Sequence, residues 1–487
     1  MGRLFRFELD LRALGALRIS LGLVVLLDLL LRLRDLTAFY TDQGLLPRIV
    51  LLQIPHPTLF NFLITVGTKA GILLWFGLLA AAAVGVVVGW RTRVCLVVVW
   101  VLHTALKHRN PLILHAGDLE LGLILFWSIF LPMGARYSLD ARSNPEGSKP
   151  SNKFAGVAGT GYVLQLGLMY LMAAIHKSDP VWTATGQALY YTFSYDQFST
   201  SLARALLDYP QVLKILTFTS LGMEFAIPLL LWSPWKRTTL RHVACGLIVV
   251  LHSGVALTLH LGIMPLINLV AAVGLWPGAL FDRIAQKVGQ AVAPEPKESE
   301  SEPFGSTLPK PVRILLALNC VYILHLNYAV YNSVIVPTPI KYFGYLLRQQ
   351  QNWDLFAPHP GIDDGWFVLE GHRLDGKKID FLQGGREATY QKPESVAGSF
   401  PNQRWRMWLL NLQRRRDPLV NQAFAHYLAE DWNRSHRGQE RVSRVSIVFV
   451  SEPTPPPGGE GFSRPVVFFD YTCPVELYEK PDEAYIP

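Results

Sequence analysis

Residues 71–89, "GILLWFGLLAAAAVGVVVG", contain no charged side chain. A bilayer core of about 30 Å takes roughly 20 helical residues, and a helix satisfies every backbone group within its own segment. This run is therefore predicted to cross a membrane, and it sets the class of the whole chain. Eight further apolar runs follow at about 14–32, 94–108, 118–134, 156–176, 212–232, 242–259, 264–280 and 313–330. The expected architecture is mainly α. A polytopic α-helical membrane bundle of about nine spans occupies residues 1–330, and a C-terminal α+β extracytoplasmic domain occupies residues 331–487.

Composition agrees. Half of the 487 residues are hydrophobic and only 17% are charged, so the main partner is expected to be the lipid bilayer. The net charge of +8 does not point to nucleic acid, because the basic residues fall in short clusters between apolar runs. Cys95, Cys245 and Cys320 lie inside apolar runs and only Cys473 lies in a polar region, so no disulfide framework is expected. Basic residues precede the first apolar stretch with no small-residue cleavage site after it, which reads as a retained first helix.

The basic clusters predict an orientation. With the N-terminus in the cytoplasm and nine spans, the inner segments hold Arg3, Arg6 and Arg12, then Arg91 and Arg93, then Arg136 and Arg142, then Lys236, Arg237 and Arg241. The outer connections are poorer in Lys and Arg, as the positive-inside rule requires. Residues 141–153 then form a cytoplasmic loop and 293–311 a disordered linker. Beyond residue 345 the pattern changes. "GWFVLEGHRLDGKKIDFL" predicts a hairpin about Asp375-Gly376. Helical spacing follows in "NQRWRMWLLNLQRRR" and "DPLVNQAFAHYLAEDWNRS", and strands in "RVSIVFVSE" and "RPVVFFDYT".

Ionisable groups inside a bilayer cost about 2.5–3.5 kcal/mol each on insertion scales, so their placement is informative. Here they gather at one level. "LHTALKHRNPLILHAGDLELG" at 102–122 carries His103, Lys107, His108, His115, Asp118 and Glu120. His176, Lys177 and Asp179 end the fifth run, and His252 and His260 lie late in the seventh. The alternation above puts all three groups at the extracytoplasmic end. Single histidines are also explained as helix-packing groups, and Lys107 and Arg109 as side chains snorkelling to the headgroups. Glu224, in mid-span, must be paired, protonated or beside a wet cavity. No HExxH occurs and the histidine spacing fits no ligand pattern, so no metal is expected.

Lys177 has the most specific chemistry open to it. A lysine in an apolar pocket loses solvation for its charged form, which makes a neutral amine available to abstract a proton or form a Schiff base. A cationic His176 beside it would assist.

Short motifs extend this reading. "FYTDQGLLPR" at 39–48 and "HAGDLELGLILFWSIFLPMGARYSLDAR" at 115–142 resemble the HTTM (horizontally transferred transmembrane) domain, shared by vitamin K-dependent γ-glutamyl carboxylase and many bacterial membrane proteins. "AAIHKSDPVW" at 173–182 is similar to the carboxylase segment Ala-Gly-Val-Lys-Lys-x-Asp-x-x-Trp. It aligns Lys177 with the family's catalytic base and His176 with the lysine before it. "NWDLFAPHP" at 352–360, the "RLDGKK" hairpin and "NQRWR" follow the carboxylase order as well.

The resemblance implies an enzyme of carboxylase (lyase) or oxygenase type. Such an enzyme oxidises a membrane-soluble hydroquinone with O₂, and the strong base so generated deprotonates a glutamate side chain that then adds CO₂. It implies Lys177 as the catalytic base with His176 beside it, and the convergence of polar groups at the outer end adds His115 and Asp118 as catalytic candidates. A quinol of vitamin K or menaquinol type would be bound by His252, Glu224, Trp182 and Tyr170, and a peptide or protein would serve as substrate. Two departures stand beside it: Arg136 replaces the carboxylases' functional histidine in "GARYSLD", and their large additional lumenal region has no counterpart. The alternative is a non-catalytic accessory protein that holds a secreted peptide through an exposed Trp353–Pro360 segment. A transporter is a third reading, but no inverted repeat is visible.

Overall fold

The computed structural model describes residues 7–54, 62–143, 152–287, 304–305 and 308–478. Most of the 141–153 loop and of the 293–311 linker lies outside the described residues. Helices occupy all nine expected positions: α1 (Leu11–Leu33), α2 (Lys69–Val88), α3 (Thr92–Arg109), α4 (Ala116–Phe130), α5 (Val157–His176), α6 (Pro210–Trp232), α7 (Arg237–Thr258), α8 (Met264–Val273) with α9 (Gly278–Lys287), and α10 (Lys310–Tyr331).

Six of these, α1, α2, α5, α6, α7 and α10, are long and apolar enough to cross a membrane. A seventh span results if α8 and α9, bent by 86°, count as one. The remaining two positions fall short for visible reasons. Helix α3 includes Arg93, Lys107 and Arg109 among its 18 residues. Helix α4 has 15 residues, about 22 Å of rise, which is less than a bilayer core.

Neighbouring helices pack in chain order from α1 to α8, and α8 returns to α1 and α4, closing the bundle. Helix α5 runs through the middle, with 78% of its apolar window buried, against 28% for α6 and 33% for α2 and α10. The outer helices show Leu74, Ile215 and Val321 on their surfaces, which suits contact with lipid tails rather than water. Close packing at the centre depends on Gly161 of α5. A Cβ there would lie 2.2 Å from the buried Trp127 ring of α4.

At one end of the bundle, short strands β1 (Glu8–Asp10), β2 (Lys153–Ala155) and β3 (Phe304–Gly305) form a ribbon, with β1–β2 antiparallel and β2–β3 parallel. Arg18 is buried near that end. It donates to the carbonyls of Met133, Val86 and Tyr137 at 3.1, 2.5 and 2.5 Å, exchanging water for fixed acceptors.

The tail returns to the bundle before it folds. After α10, helix α11 (Thr338–Leu347) doubles back so that Phe343 packs on Tyr322. Gln351 then pairs with Gln165 of α5 at 2.6 Å. Only beyond this segment does the α+β part begin. Strands β4 (Gly365–Arg373), β5 (Lys378–Asp380), β6 (Arg386–Glu387), β7 (Val442–Ser451) and β8 (Arg464–Thr472) form an antiparallel sheet in the order β6-β5-β4-β7-β8. Gly376, at φ 82°, makes the predicted β4–β5 turn. Helices α12 (Gln403–Arg415) and α13 (Pro418–Ser435) join through Trp408 and Phe424, whose rings are 5.7 Å apart, and α13 lies on β7.

Candidate functional site

Two groups of buried charge lie at the end of the bundle opposite the β1–β3 ribbon. The first ties the tail to the helices. Arg32 donates to Asp28 at 2.6 Å, to Asp118, and to the Tyr40 hydroxyl at 2.6 Å. Arg404, from the start of α12, donates to Asp28 at 2.7 Å and to Asp118 at 3.2 Å. All four charged side chains are buried. Asp118 also accepts from the His115 backbone N–H at 3.0 Å, while His115 Nδ1 accepts from the Gly117 N–H at 3.1 Å, a reciprocal cap on α4. Asp28, His103 and Asp118 are close enough to share a metal ion, but every oxygen of the two carboxylates already faces a guanidinium or an amide. A cation there would sit against the positive charge of Arg32 and Arg404.

The second group surrounds a cavity of about 830 Å³ between α5, α6, α7 and the tail. Lys177, the residue just past the last turn of α5, projects into it. Its ammonium donates to Glu224 Oε1 and Oε2 at 2.8 and 2.7 Å and to the Ala173 carbonyl at 3.2 Å, so three N–H groups meet three acceptors. Nζ also stands 5.2 Å from the centre of the Trp182 ring. Trp182 is braced from the tail, donating to the Phe356 carbonyl at 3.0 Å. Two turns back along α5, the Tyr170 hydroxyl lies 2.9 Å from His252 Nε2 and donates to Asn268 Oδ1 at 3.1 Å. Asn268 donates onward to Glu120 at 2.7 Å.

Six of the eight sequence-selected residues therefore meet on one cavity: Lys177, Glu224, Trp182, Tyr170, His252 and His115. The other two do not line it. Asp118 is enclosed in the ion cluster. His176 turns aside, its ring 5.5 Å from that of Tyr331, and so does not face the lysine it was expected to assist. Glu224, selected as a cofactor contact, lines the cavity and is paired with the lysine. Arg109 does not snorkel, because it is buried and donates to the carbonyls of Leu46 and Thr41 at 2.8 and 3.0 Å. Arg136 bonds Asn152 at 2.8 Å beside Gly15, at the far end of α1.

The Trp353–Pro360 segment, expected to be exposed, is so only in part: Asp354 and Pro358 are exposed, whereas Trp353 and Pro360 are buried. Trp353 is 2% exposed, and Trp353, Asp354, Phe356 and His359 line the cavity. The tail also supplies Gln403, Met407 and Arg414 to its wall. Sequence reading missed these three because they lie more than 200 residues from Lys177; only the amphipathic spacing of 402–415 hinted at a buried face. Asn268 was missed for another reason, as a single amide in an apolar run carries no motif.

The fold and site define a multi-pass helical membrane protein with a polar cavity closed on one side by its own C-terminal region. A family model for the HTTM domain matches residues 7–276, and the chain belongs to that family. No curated protein and no solved structure matches the chain.

Proposed function

We propose that this protein is a membrane enzyme in which Lys177 and Glu224 together act as the base toward a lipid-soluble, hydroxyl-bearing aromatic molecule of quinol type. The observation that carries the reading is the cavity itself: a buried lysine and its carboxylate open onto about 830 Å³ of space rather than a sealed bundle. That volume falls within the ordinary range for small-molecule sites of about 300–1,000 Å³. Aromatic and apolar walls from Tyr170, Trp182 and Leu251 suit a ring, with polar groups few and fixed.

A quinol, when bound, would supply reducing equivalents for O₂. The remaining roles belong to the chain. Glu224 accepts the proton that Lys177 gives up, which leaves the amine free to take one from the ligand hydroxyl. Trp182 holds the lysine in place. The Phe356 and Trp353 segment covers that side, and Asp354, Asp363 and Arg414 offer polar contacts to a peptide or small substrate. The basic clusters near Arg12, Arg91 and Arg136 lie at the opposite end, so the positive-inside rule supports a cytoplasmic N-terminus and an extracytoplasmic site.

The test is oxygen uptake by the purified protein in nanodiscs supplied with vitamin K hydroquinone or a menaquinol. Uptake that is lost in Lys177→Ala supports the proposal. No uptake, or uptake unchanged in that variant, removes it. One observation favours the alternative of a non-catalytic peptide holder: all three hydrogens of Lys177 are already engaged. That reading predicts peptide binding that survives Lys177→Ala and fails when the Trp353–Pro360 wall is altered.

A further inference from the structure

A second cavity, of about 540 Å³, lies at the same end of the bundle, between the α7–α8 connection and the start of α12. Leu259, Leu261 and Gln403 line both it and the cavity beside Lys177, and so form the partition between the two. Ala256, His260, Gly262 and Leu266 are exposed, which leaves the second cavity open to the surroundings. Leu266 and Leu269, about one turn apart on α8, carry its apolar wall toward the middle of the bilayer, and Phe400 of the tail adds to it.

Its charge is one-sided. No aspartate or glutamate lines it, whereas His260 and Arg406 do. Arg406 is 3% exposed; it donates to the Gln197 carbonyl at 2.6 Å, to the His260 carbonyl and to Gln403 Oε1, and it meets no carboxylate among the described residues. Its positive charge is balanced by dipoles alone, which is costly in a buried place unless an anion stands near. The exposed His260 imidazole has no hydrogen-bond partner among the described residues. Burial lowers its pKa, and the two charges that act on it, Arg406 and Arg204, lower it further. An anion at the mouth would reverse that balance.

We propose that this second cavity binds an anionic phospholipid of the adjoining leaflet, with the phosphate at His260 and an acyl chain along Leu266 and Leu269. The exposed imidazole makes the contact. Arg406 and Arg204 add attraction from behind it, because charge acts over several ångströms where water is scarce. A zwitterionic lipid gains less, since its own ammonium meets the same arginines. A free phosphate ion shares the headgroup's chemistry, but the apolar wall, beside the lipid-facing Leu257 of α7, favours a lipid. This site is separate from the quinol reading and stands or falls without it.

The test uses phosphatidylglycerol and phosphatidylcholine that carry a photoreactive group on one acyl chain. The full chain is labelled in nanodiscs and the labelled peptides are mapped by mass spectrometry. Phosphatidylglycerol is expected to label residues 256–269 and 397–406 about tenfold more than phosphatidylcholine, the ratio that one hydrogen bond to a charged group supplies. His260→Glu, whose carboxylate would itself pair with the arginines, should remove that excess, and His260→Lys should keep it. Labelling at the opposite end of the bundle should stay the same in both variants, which separates a lost site from a lost fold. Equal labelling of these segments by the two lipids, or an excess that survives His260→Glu, would overturn the proposal. Displacement of the label by inorganic phosphate would overturn it as well, because it would assign the site to a soluble ion.

Discussion

The Asp28–Asp118–Arg32–Arg404 cluster and the Lys177–Glu224 pair are both buried charge at the same end of the bundle, yet they are built differently. In the first, two carboxylates meet two guanidiniums, every oxygen has a partner, and no described cavity is lined by any of the four. In the second, one ammonium meets one carboxylate, Glu224 keeps 15% side-chain exposure, and a cavity lies beside them. A saturated cluster fixes one arrangement of the chain. The pair is satisfied within itself but stands beside open space that a ligand could fill. Exposure and adjoining space therefore separate structural charge from candidate chemistry better than residue type does.

The contrast can be broken by substitution. The largest effect is expected from Arg404→Leu, which leaves Asp28 and Asp118 sharing Arg32 alone. Removing one member of a buried ionic network costs about 3–5 kcal/mol. Thermal unfolding of the purified protein should show that loss, and limited proteolysis should show the tail released from the bundle. Retained stability would mean the cluster does not hold the tail.

A pH-linked effect comes next, from Asp364 in the tail. Burial pushes its carboxyl up to about 7, against an ordinary value near 3.8, while its side chain accepts from the Asp196 N–H at 2.7 Å. The folded state thus holds this proton more tightly than the unfolded state. Its contribution is complete below about pH 4 and is lost as pH rises through about 7. The unfolding midpoint should fall across that window, and Asp364→Asn should flatten the fall. An unchanged slope in the variant would remove Asp364 as its source.

Lys177→Met should cost less stability than Arg404→Leu, below about 2 kcal/mol, because Glu224 stands beside a cavity that water can enter. Activity, by contrast, should vanish. A loss as large as that of Arg404→Leu would make the pair structural and collapse the comparison. The smallest effect belongs to Arg434→Ala, which breaks an exposed pair with Glu430 at 2.9 Å and should change stability by at most about 0.5 kcal/mol.

Much of this was legible in the sequence. The uncharged run at 71–89 predicted its helix almost to the residue, and Asp375-Gly376 predicted the hairpin. Lys177, Glu224 and His252 stood out because charge or imidazole in an apolar run needs a reason. What helix spacing alone could not supply was side-chain direction across the bundle. His176 and Lys177 are adjacent, but a step of about 100° per residue sends one toward Tyr331 and the other toward Glu224. At α3 and α4 the helices exist, but they are too charged or too short to count as spans by length and composition alone. The contribution of Arg404 was hidden because its partners, Asp28 and Asp118, lie 376 and 286 residues away.

The most direct measurement is to identify the lipid-soluble molecule that co-purifies with the protein and to locate it relative to Lys177 in an experimental structure. The account predicts an aromatic molecule bearing a hydroxyl, seated in the cavity within hydrogen-bonding distance of Lys177. A cavity filled by ordinary acyl chains, or closed around an unaltered Lys177–Glu224 pair, would contradict it.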